Sequence, residues 1–335
     1  GDLDLVVAGD GPAFSRRRAD VWGGEVEVYD RFLTATVTCP DLPRLDVATA
    51  RLETYERPGA LPHKKPAGLA EDLKRRDLTI NAMAVDLRPG RFGALVDPFG
   101  GAADVAAGLI RLLHARSLTD DPTRILRMAR YASRFEFVAE PRTREWLHEA
   151  LAARVLEFVS GDRLRQEVFL ALHEPEPAAA FAWLRDAGAL DAIVPGADPG
   201  GDFPRLIGDA ARFLALVEKG AALDPALVGL LLLLRAATPG DVARAAARLA
   251  LAGRARAVVA GAPEIAGIAA RLGAASRPSE VRAILAGLPL EAAIASLILA
   301  LGYATQSLER IQSAASALGD RPLLTRAAAE LRRLG

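Results

Sequence analysis

The sequence has 335 residues, 51% of them apolar and 25% charged, with 42 Lys and Arg balanced by 42 Asp and Glu. A chain of this size exceeds one ordinary core, so two or more domains are expected, and the zero net charge leaves any nucleic-acid-binding surface to local clustering. A single cysteine, Cys39, excludes an internal disulfide framework and a cysteine-based zinc site, and the four histidines offer no ligand spacing.

Residues 1–50 read as short β-branched runs bounded by Gly, Pro and Asp: LDLVVAG, GEVEVYD, ATVTC and RLDVATA. DLDLVV puts Asp2 and Asp4 two apart on one strand, so both carboxylates leave the same face. They repel unless a cation sits between them, and Mg²⁺ favours one or two carboxylates plus substrate phosphates; the alternative is an edge strand with a polar face. RLDVATA places Asp46 on an otherwise apolar strand, where a carboxylate needs a cation or a hydrogen-bonding partner. If that strand lies beside the first, three carboxylates meet as a two-metal phosphoryl-transfer site requires. The alternative is a pairing of Asp46 with Arg44 or Arg51.

Residues 51–74 hold three prolines, two glycines and the pair Lys64, Lys65 without apolar period, and are expected to form a long mobile loop. KRRDLTINAMA follows, with Arg75, Arg76, Asp77, Thr79 and Asn81 packed together. Arginine matches phosphate with a rigid fork, and Asp and Asn bond sugar hydroxyls, so triphosphate and ribose could both be held; the alternative is a charged turn capping the next helix. INAMAVDL and ALVDPFGG read as short elements closing this first unit.

From about residue 103 the chain reads as helical, rich in Ala, Leu and Arg, with breaks at Gly and Pro and no fixed internal period. In DDPTRILRMARYASR, Asp121 is placed to cap a helix with Pro122 at its first position. Arg124, Arg127, Arg130 and Arg134 recur at steps of three, three and four, forming a cationic stripe that nothing on the helix neutralises. For such a stripe a solvated face is the plain reading. Further on, ALVGLLLLL at 226–234 is shorter than the ~20 residues that span a bilayer and is expected to be a core helix. With no signal peptide legible at GDLDLVV, a cytoplasmic chain is the simplest expectation, without membrane or obligate protein partner.

DLDLVV, LDVATARLETYERPGALP, EDLKRRDLTINAMA, DPFGG and DDPTRILRMARYASRF, in this order and spacing, resemble the class II tRNA nucleotidyltransferase and bacterial poly(A) polymerase family. The likeness is strong over residues 1–170 and loose beyond. It implies an α+β fold: a polymerase-β-like head with a mixed sheet and helices at 1–100, a helical neck at 101–172, and a helical body and tail at 173–335. It further implies template-independent addition of C and A nucleotides from CTP and ATP to the 3′ end of tRNA, with release of pyrophosphate. The alternatives are adenosine addition alone, poly(A) synthesis, or a non-catalytic RNA-binding relative.

By this resemblance Asp2 and Asp4 bind Mg²⁺ and Asp46 is the third carboxylate. Arg76 holds the incoming nucleotide, with Asp77 and Asn81 near its sugar. Asp121 and Arg124 read the base, Arg127 and Arg130 lie near the phosphates, and Arg134 is structural. SGDRLRQEVFLAL at 160–172 resembles a buttressing helix, with Arg163 and Glu167 spaced as an ion pair. The loop 51–74 resembles one kept by members that add the terminal adenosine, with Lys64 and Lys65 as RNA contacts or simply solvated. The region 173–335 would cradle tRNA, with Arg254 and Arg256 as phosphate contacts. Two departures stand out. The family carries a glycine pair and a Val-Arg-Asp element before the Asp-x-Asp strand, which this sequence lacks; a start further upstream is expected, with loss of the element and of catalysis as the alternative. Leu33 also stands where the family commonly has a small residue.

Overall fold

The computed structural model describes residues 3–40, 42–215, 223–275 and 277–302. The expected α+β fold is observed, and contacts divide the chain into two compact units, residues 1–124 with 137–158 and residues 125–136 with 159–335.

The first unit is built on strands β1 (Leu3–Val7), β2 (Glu25–Tyr29), β3 (Thr34–Cys39) and β4 (Leu42–Thr49), with helix α1 (Gly11–Trp22) between β1 and β2. The sheet order is β1-β4-β3-β2, with β1 parallel to β4 and the other pairs antiparallel. Two-residue alternation along β2 and β3 sends Val26, Ala35 and Val37 to one face and Glu25, Glu27, Thr36 and Thr38 to the other. The apolar face closes on α1 through Ala19, Val37, Cys39 and Val47, surrounded by Leu5, Phe14, Val26 and Leu45. Full burial of a Val or Leu side chain stabilises by about 1.5–3 kcal/mol. Asp10 caps α1 by accepting from Ala13 N at 2.9 Å. At Gly11 a Cβ would lie 2.9 Å from Thr49 N, so only glycine lets the helix start this close to β4. Leu33 adopts φ 56°, in the left-handed region where glycine is strain-free and a leucine is not.

The stretch 51–74 is not a structureless loop. It folds into a hairpin of β5 (Arg51–Thr54) and β6 (His63–Pro66), in register Glu53 to Lys64, followed by α2 (Leu69–Lys74). Next come a hairpin of β7 (Ala84–Val85) and β8 (Leu95–Val96), then α3 (Gly101–Ala107), β9 (Leu109–Ile110), α4 (Ser117–Asp120), α5 (Arg124–Phe135), β10 (Val138–Ala139) and α6 (Pro141–Ala152). The region after 103 is therefore not purely helical, because β9 pairs in parallel with β10.

The second unit is helical: most of α5, then α7 (Gly161–Leu172), α8 (Pro177–Asp186), α9 (Leu190–Ile193), α10 (Phe203–Ala215), α11 (Pro225–Leu233), α12 (Pro239–Arg248), α13 (Gly253–Ala260), α14 (Ile265–Ala274), α15 (Pro278–Leu285) and α16 (Leu290–Gly302). The leucine run forms α11, buried from Ala226 to Leu233 as a core helix. Phe181 and Phe203 meet edge to face at 6.4 Å in the same core. Among the described residues only Gly253–Ala274 has the length and hydropathy of a membrane span; it is broken by a 3₁₀ turn at Ala262–Glu264 and buries Ile265, Ile268 and Leu272 within this unit.

Candidate active site

The polar face of the sheet collects the carboxylates. The parallel register sets Asp4 beside Asp46, the antiparallel register sets Thr36 on the other side of Asp46, and Glu27 follows in the same row. Asp46 Oδ1 accepts from Thr36 Oγ1 at 2.6 Å and from Arg44 Nε and Nη2 at 3.3 and 3.2 Å. Of the two arginines considered for Asp46, Arg44 is the partner; Arg51 binds Glu53 at 3.0 Å and the carbonyl of Phe32 at 2.9 Å. Asp46 Oδ2 takes no hydrogen bond from a described residue, and Asp4 is exposed. Asp2 lies outside the described residues.

A second cluster forms where α2 meets β5. The carboxylate of Asp72, wholly buried, accepts from Arg51 N at 3.1 Å, from Arg75 Nη2 at 2.8 Å and from Arg76 Nη2 at 3.2 Å. It thereby aims both arginines of the KRRD motif. Asp77 is buried, its Oδ1 accepting from Leu78 N at 2.9 Å and Asn81 Nδ2 at 3.1 Å, so these two expected sugar contacts hold one another. Arg124 is also buried and donates Nη2 to the carbonyl of Arg75 at 2.6 Å. Arg76 Nε and Arg124 Nη1 are buried donors with no acceptor among the described residues. A buried cationic N–H left unpaired is costly, so an acceptor brought to either position would stabilise it. Asp121 caps the entry to α5, its Oδ1 accepting from Thr123 N at 3.0 Å and Thr123 Oγ1 at 2.6 Å.

Beside this cluster lies a cleft of about 530 Å³ lined by Glu53, Tyr55, Lys74, His114, Arg116 and Asp120. Burial and the Glu53 charge push the Tyr55 hydroxyl far above its usual range, keeping it neutral, with Tyr55 Oη donating to Glu53 Oε2 at 3.1 Å. Burial, then the Arg124 charge, lowers His114 below its usual 6.5.

Two family models match the chain: "Poly A polymerase head domain" over residues 1–111 and "Probable RNA and SrmB- binding site of polymerase A" over 136–200, together more than half of it. The chain belongs to the tRNA nucleotidyltransferase and poly(A) polymerase family. It is 44% identical over 199 residues to the A-adding tRNA nucleotidyltransferase of Halalkalibacterium halodurans, covering 58% of this chain and 46% of that protein. It is 36% identical over 197 residues to the CC-adding tRNA nucleotidyltransferase of Deinococcus radiodurans, covering 58% and 51%. The matched region thus spans about half the length of these relatives. Among solved structures, an apo CCA-adding enzyme superposes with TM-score 0.79 at 29% identity, covering 95% of this chain and 74% of that one. A CCA-adding enzyme with CTP gives 0.74 at 27%, covering 100% and 78%.

In this family member the arginine stripe of α5 is not a solvated face. Arg130 is buried, with Nε donating to Glu174 Oε1 at 2.9 Å and Nη1 to Glu167 Oε2 at 3.0 Å. Arg134 grips Glu174 with two bonds of 2.7 Å. Arg127 and Arg134 each sit 5.6 Å from the Tyr131 ring. Arg254 is bound by the buried Glu291 at 2.7 Å, whereas Arg256 is exposed. Lys64 stacks over Phe32 at 4.7 Å and Lys65 is exposed. Sequence reasoning missed Asp72, Thr36 and Glu174. Asp72 had a signal, lying three and four residues before Arg75 and Arg76.

Proposed function

We propose that this protein is a template-independent nucleotidyltransferase that adds C and A from CTP and ATP to the 3′ end of tRNA and releases pyrophosphate. The observation that carries the reading is the side-by-side register of Asp4 and Asp46 on an open polar sheet face, within a head matched by the poly(A) polymerase model. Asp4 and Asp46, with Asp2, would hold Mg²⁺: adjacent carboxylates are hard oxygen donors of like charge, and Asp46 keeps Oδ2 for a ligand. When bound, the ion supplies activation of the RNA 3′-hydroxyl and neutralises charge on the pyrophosphate.

The chain's own residues do the selecting and positioning. Arg76 and Arg124 offer buried, unpartnered N–H groups to nucleotide acceptors. Cytosine and adenine each present an exocyclic amine beside a ring-nitrogen acceptor, so Asp121 accepting and Arg124 donating suit both. Uracil and guanine present the reverse and would leave both side chains unpaired. Asp77 and Asn81 would lie near the sugar, with their mutual bond setting the orientation of the Asn81 amide. Of the two arginines assigned to the phosphates, Arg130 is held by two carboxylates and serves to fix α5 instead. The helical unit would carry tRNA through its backbone and shape, with Arg256 an exposed candidate contact, and a cytoplasmic location goes with that reading.

A narrower reading, adenosine addition alone, draws on the names of the relatives at 44% and 40% identity and on the complete 51–66 hairpin. The test is incorporation of labelled CTP and ATP, separately, by the full-length protein into tRNA lacking CCA, tRNA ending in CC and an unrelated RNA, with Mg²⁺ and with EDTA. Both nucleotides entering tRNA in order supports CCA addition, and ATP alone on the CC-ended tRNA supports the narrower reading. Binding of tRNA without Mg²⁺-dependent incorporation would sink both in favour of an RNA-binding relative.

A further inference from the structure

The two partners of Asp46 differ in kind. Thr36 is a neutral, β-branched side chain on the neighbouring strand, directly opposite Asp46, and its bond is the short one at 2.6 Å. Arg44 is a long cation on the same strand two residues earlier, on the same face, 56% exposed, and its bonds to the same oxygen are long at 3.2 and 3.3 Å. All three donors converge on Oδ1 and leave Oδ2 without a described partner, on a residue whose register neighbour on the other side is Asp4.

We propose that Arg44 is a resident counter-cation of the Asp4–Asp46 row that gives way to the divalent ion, and that Thr36 is a positioning residue that stays bound and keeps Asp46 aimed. The inference rests on the reading of this row as the metal-binding face. Without an ion, two adjacent carboxylates repel, and Arg44 relieves that repulsion. With an ion, a guanidinium this close to Asp46 opposes a second positive charge, and its half-exposed side chain has water to move into. Thr36 brings no charge, so nothing drives it away. Its bond has the role of an outer-shell contact, which fixes a ligand's orientation and commonly changes metal affinity 10- to 100-fold when lost.

The two roles have opposite signs, which a merely structural contribution would not produce. Mn²⁺ binding to the full-length protein is titrated by the electron paramagnetic resonance of the free ion, with Mg²⁺ as competitor and circular dichroism to verify folding. Arg44→Met is expected to tighten Mn²⁺ by about tenfold at low salt, an effect that shrinks as salt screens the charge. Thr36→Val is expected to weaken it by about tenfold or more, and Thr36→Ser to restore it. Arg16→Met, on the exposed side of the helix covering the opposite sheet face, is expected to leave binding unchanged and controls for loss of one positive charge. Arg44→Met binding no tighter than wild type overturns the counter-cation, and Thr36→Val binding as wild type overturns the positioning role. Asp46→Asn separates the two levels. If it loses the ion while Arg44→Met and Thr36→Val do nothing, the site stands and this inference falls; if it binds like wild type, the metal-binding reading falls and the inference with it.

Discussion

Arg130 Nε lies 2.9 Å from Glu174 Oε1, joining α5 to the turn after α7 across 44 residues of chain. The same carboxylate takes two bonds from Arg134, and Arg130 has a second partner in Glu167. One buried glutamate therefore locks the helix that begins at Arg124. Removing one partner of such a network leaves buried charge uncompensated, at about 3–5 kcal/mol for truncation. Glu174→Ala is expected to destabilise the helical unit by about that amount and Glu174→Gln by roughly half. Urea unfolding followed by Trp183 emission, in a Trp22→Phe, Trp146→Phe background, measures it; a loss below about 1 kcal/mol for the alanine variant would contradict the network.

The same residue sets an acid limit. Burial alone would raise the Glu174 carboxyl, but hydrogen bonds from Arg134 and Arg130 outweigh it and hold the group below its usual 4.5. A lowered folded value means the contribution is fully present above about pH 4.5 and is lost as pH falls through the folded value. Acid unfolding of the helical unit should accordingly be less steep with pH in Glu174→Gln than in wild type. Parallel acid profiles would remove Glu174 from that role.

Asp121 carries two duties that substitution can separate. Its Oδ1 caps α5 through Thr123, and the base-reading assignment needs a carboxylate acceptor. Asparagine caps as well as aspartate, so Asp121→Asn should fold normally while placing an amide donor where an acceptor is required. Discrimination for CTP and ATP against UTP and GTP is expected to fall by about 10- to 100-fold, read as the ratio of kcat/KM values. Undiminished discrimination would leave Asp121 as a cap only.

The carboxylate row was legible in the sequence because strand period fixes facing, and because Asp46 on an apolar strand signals a partner. Other features depended on contacts that no local spacing encodes. The β5–β6 hairpin was hidden by Pro58, Pro62 and Pro66, which break the alternation that marks strands, although Pro66 sits at the strand's end where its missing N–H is tolerated. The stripe of α5 was visible as spacing, but its neutralisation by Glu167 and Glu174 arises 37 to 44 residues downstream. Boundaries at 100 and 172 follow the motifs, whereas the compact units divide inside α5 and after Phe158. Two-residue strands such as β9 and β10 leave too little pattern to read.

The orphaned donors of Arg76 and Arg124 predict a ligand-dependent gain in stability. An acceptor bound there removes the cost of two unpaired N–H groups, and any ligand specific for the folded chain stabilises it, by about 2.7 kcal/mol at 100 times its dissociation constant. CTP and ATP are expected to raise the melting temperature more than UTP and GTP. Arg124→Lys keeps the charge but loses the planar fork, so affinity for both should drop about tenfold or more in a fluorescence titration. Equal affinities in wild type and Arg124→Lys would mean that the buried guanidinium only supports the Arg75 carbonyl.

His114 reports on the same cluster without any ligand. Burial disfavours its charged form first, the Arg124 guanidinium second, and Lys74 and Arg116 add to the effect while Asp120 opposes it. The histidine is therefore neutral at pH 7, and its folded value lies below the unfolded 6.5. In the window between those values the unfolded chain binds more protons, so stability rises with pH there and levels off above 6.5. Imidazole proton resonances, assigned by His114→Gln, should titrate below 6.5 and shift upward in Arg124→Met, because one of the opposing charges is gone. A His114 titration unmoved by Arg124→Met would place the guanidinium too far away to act on the imidazole.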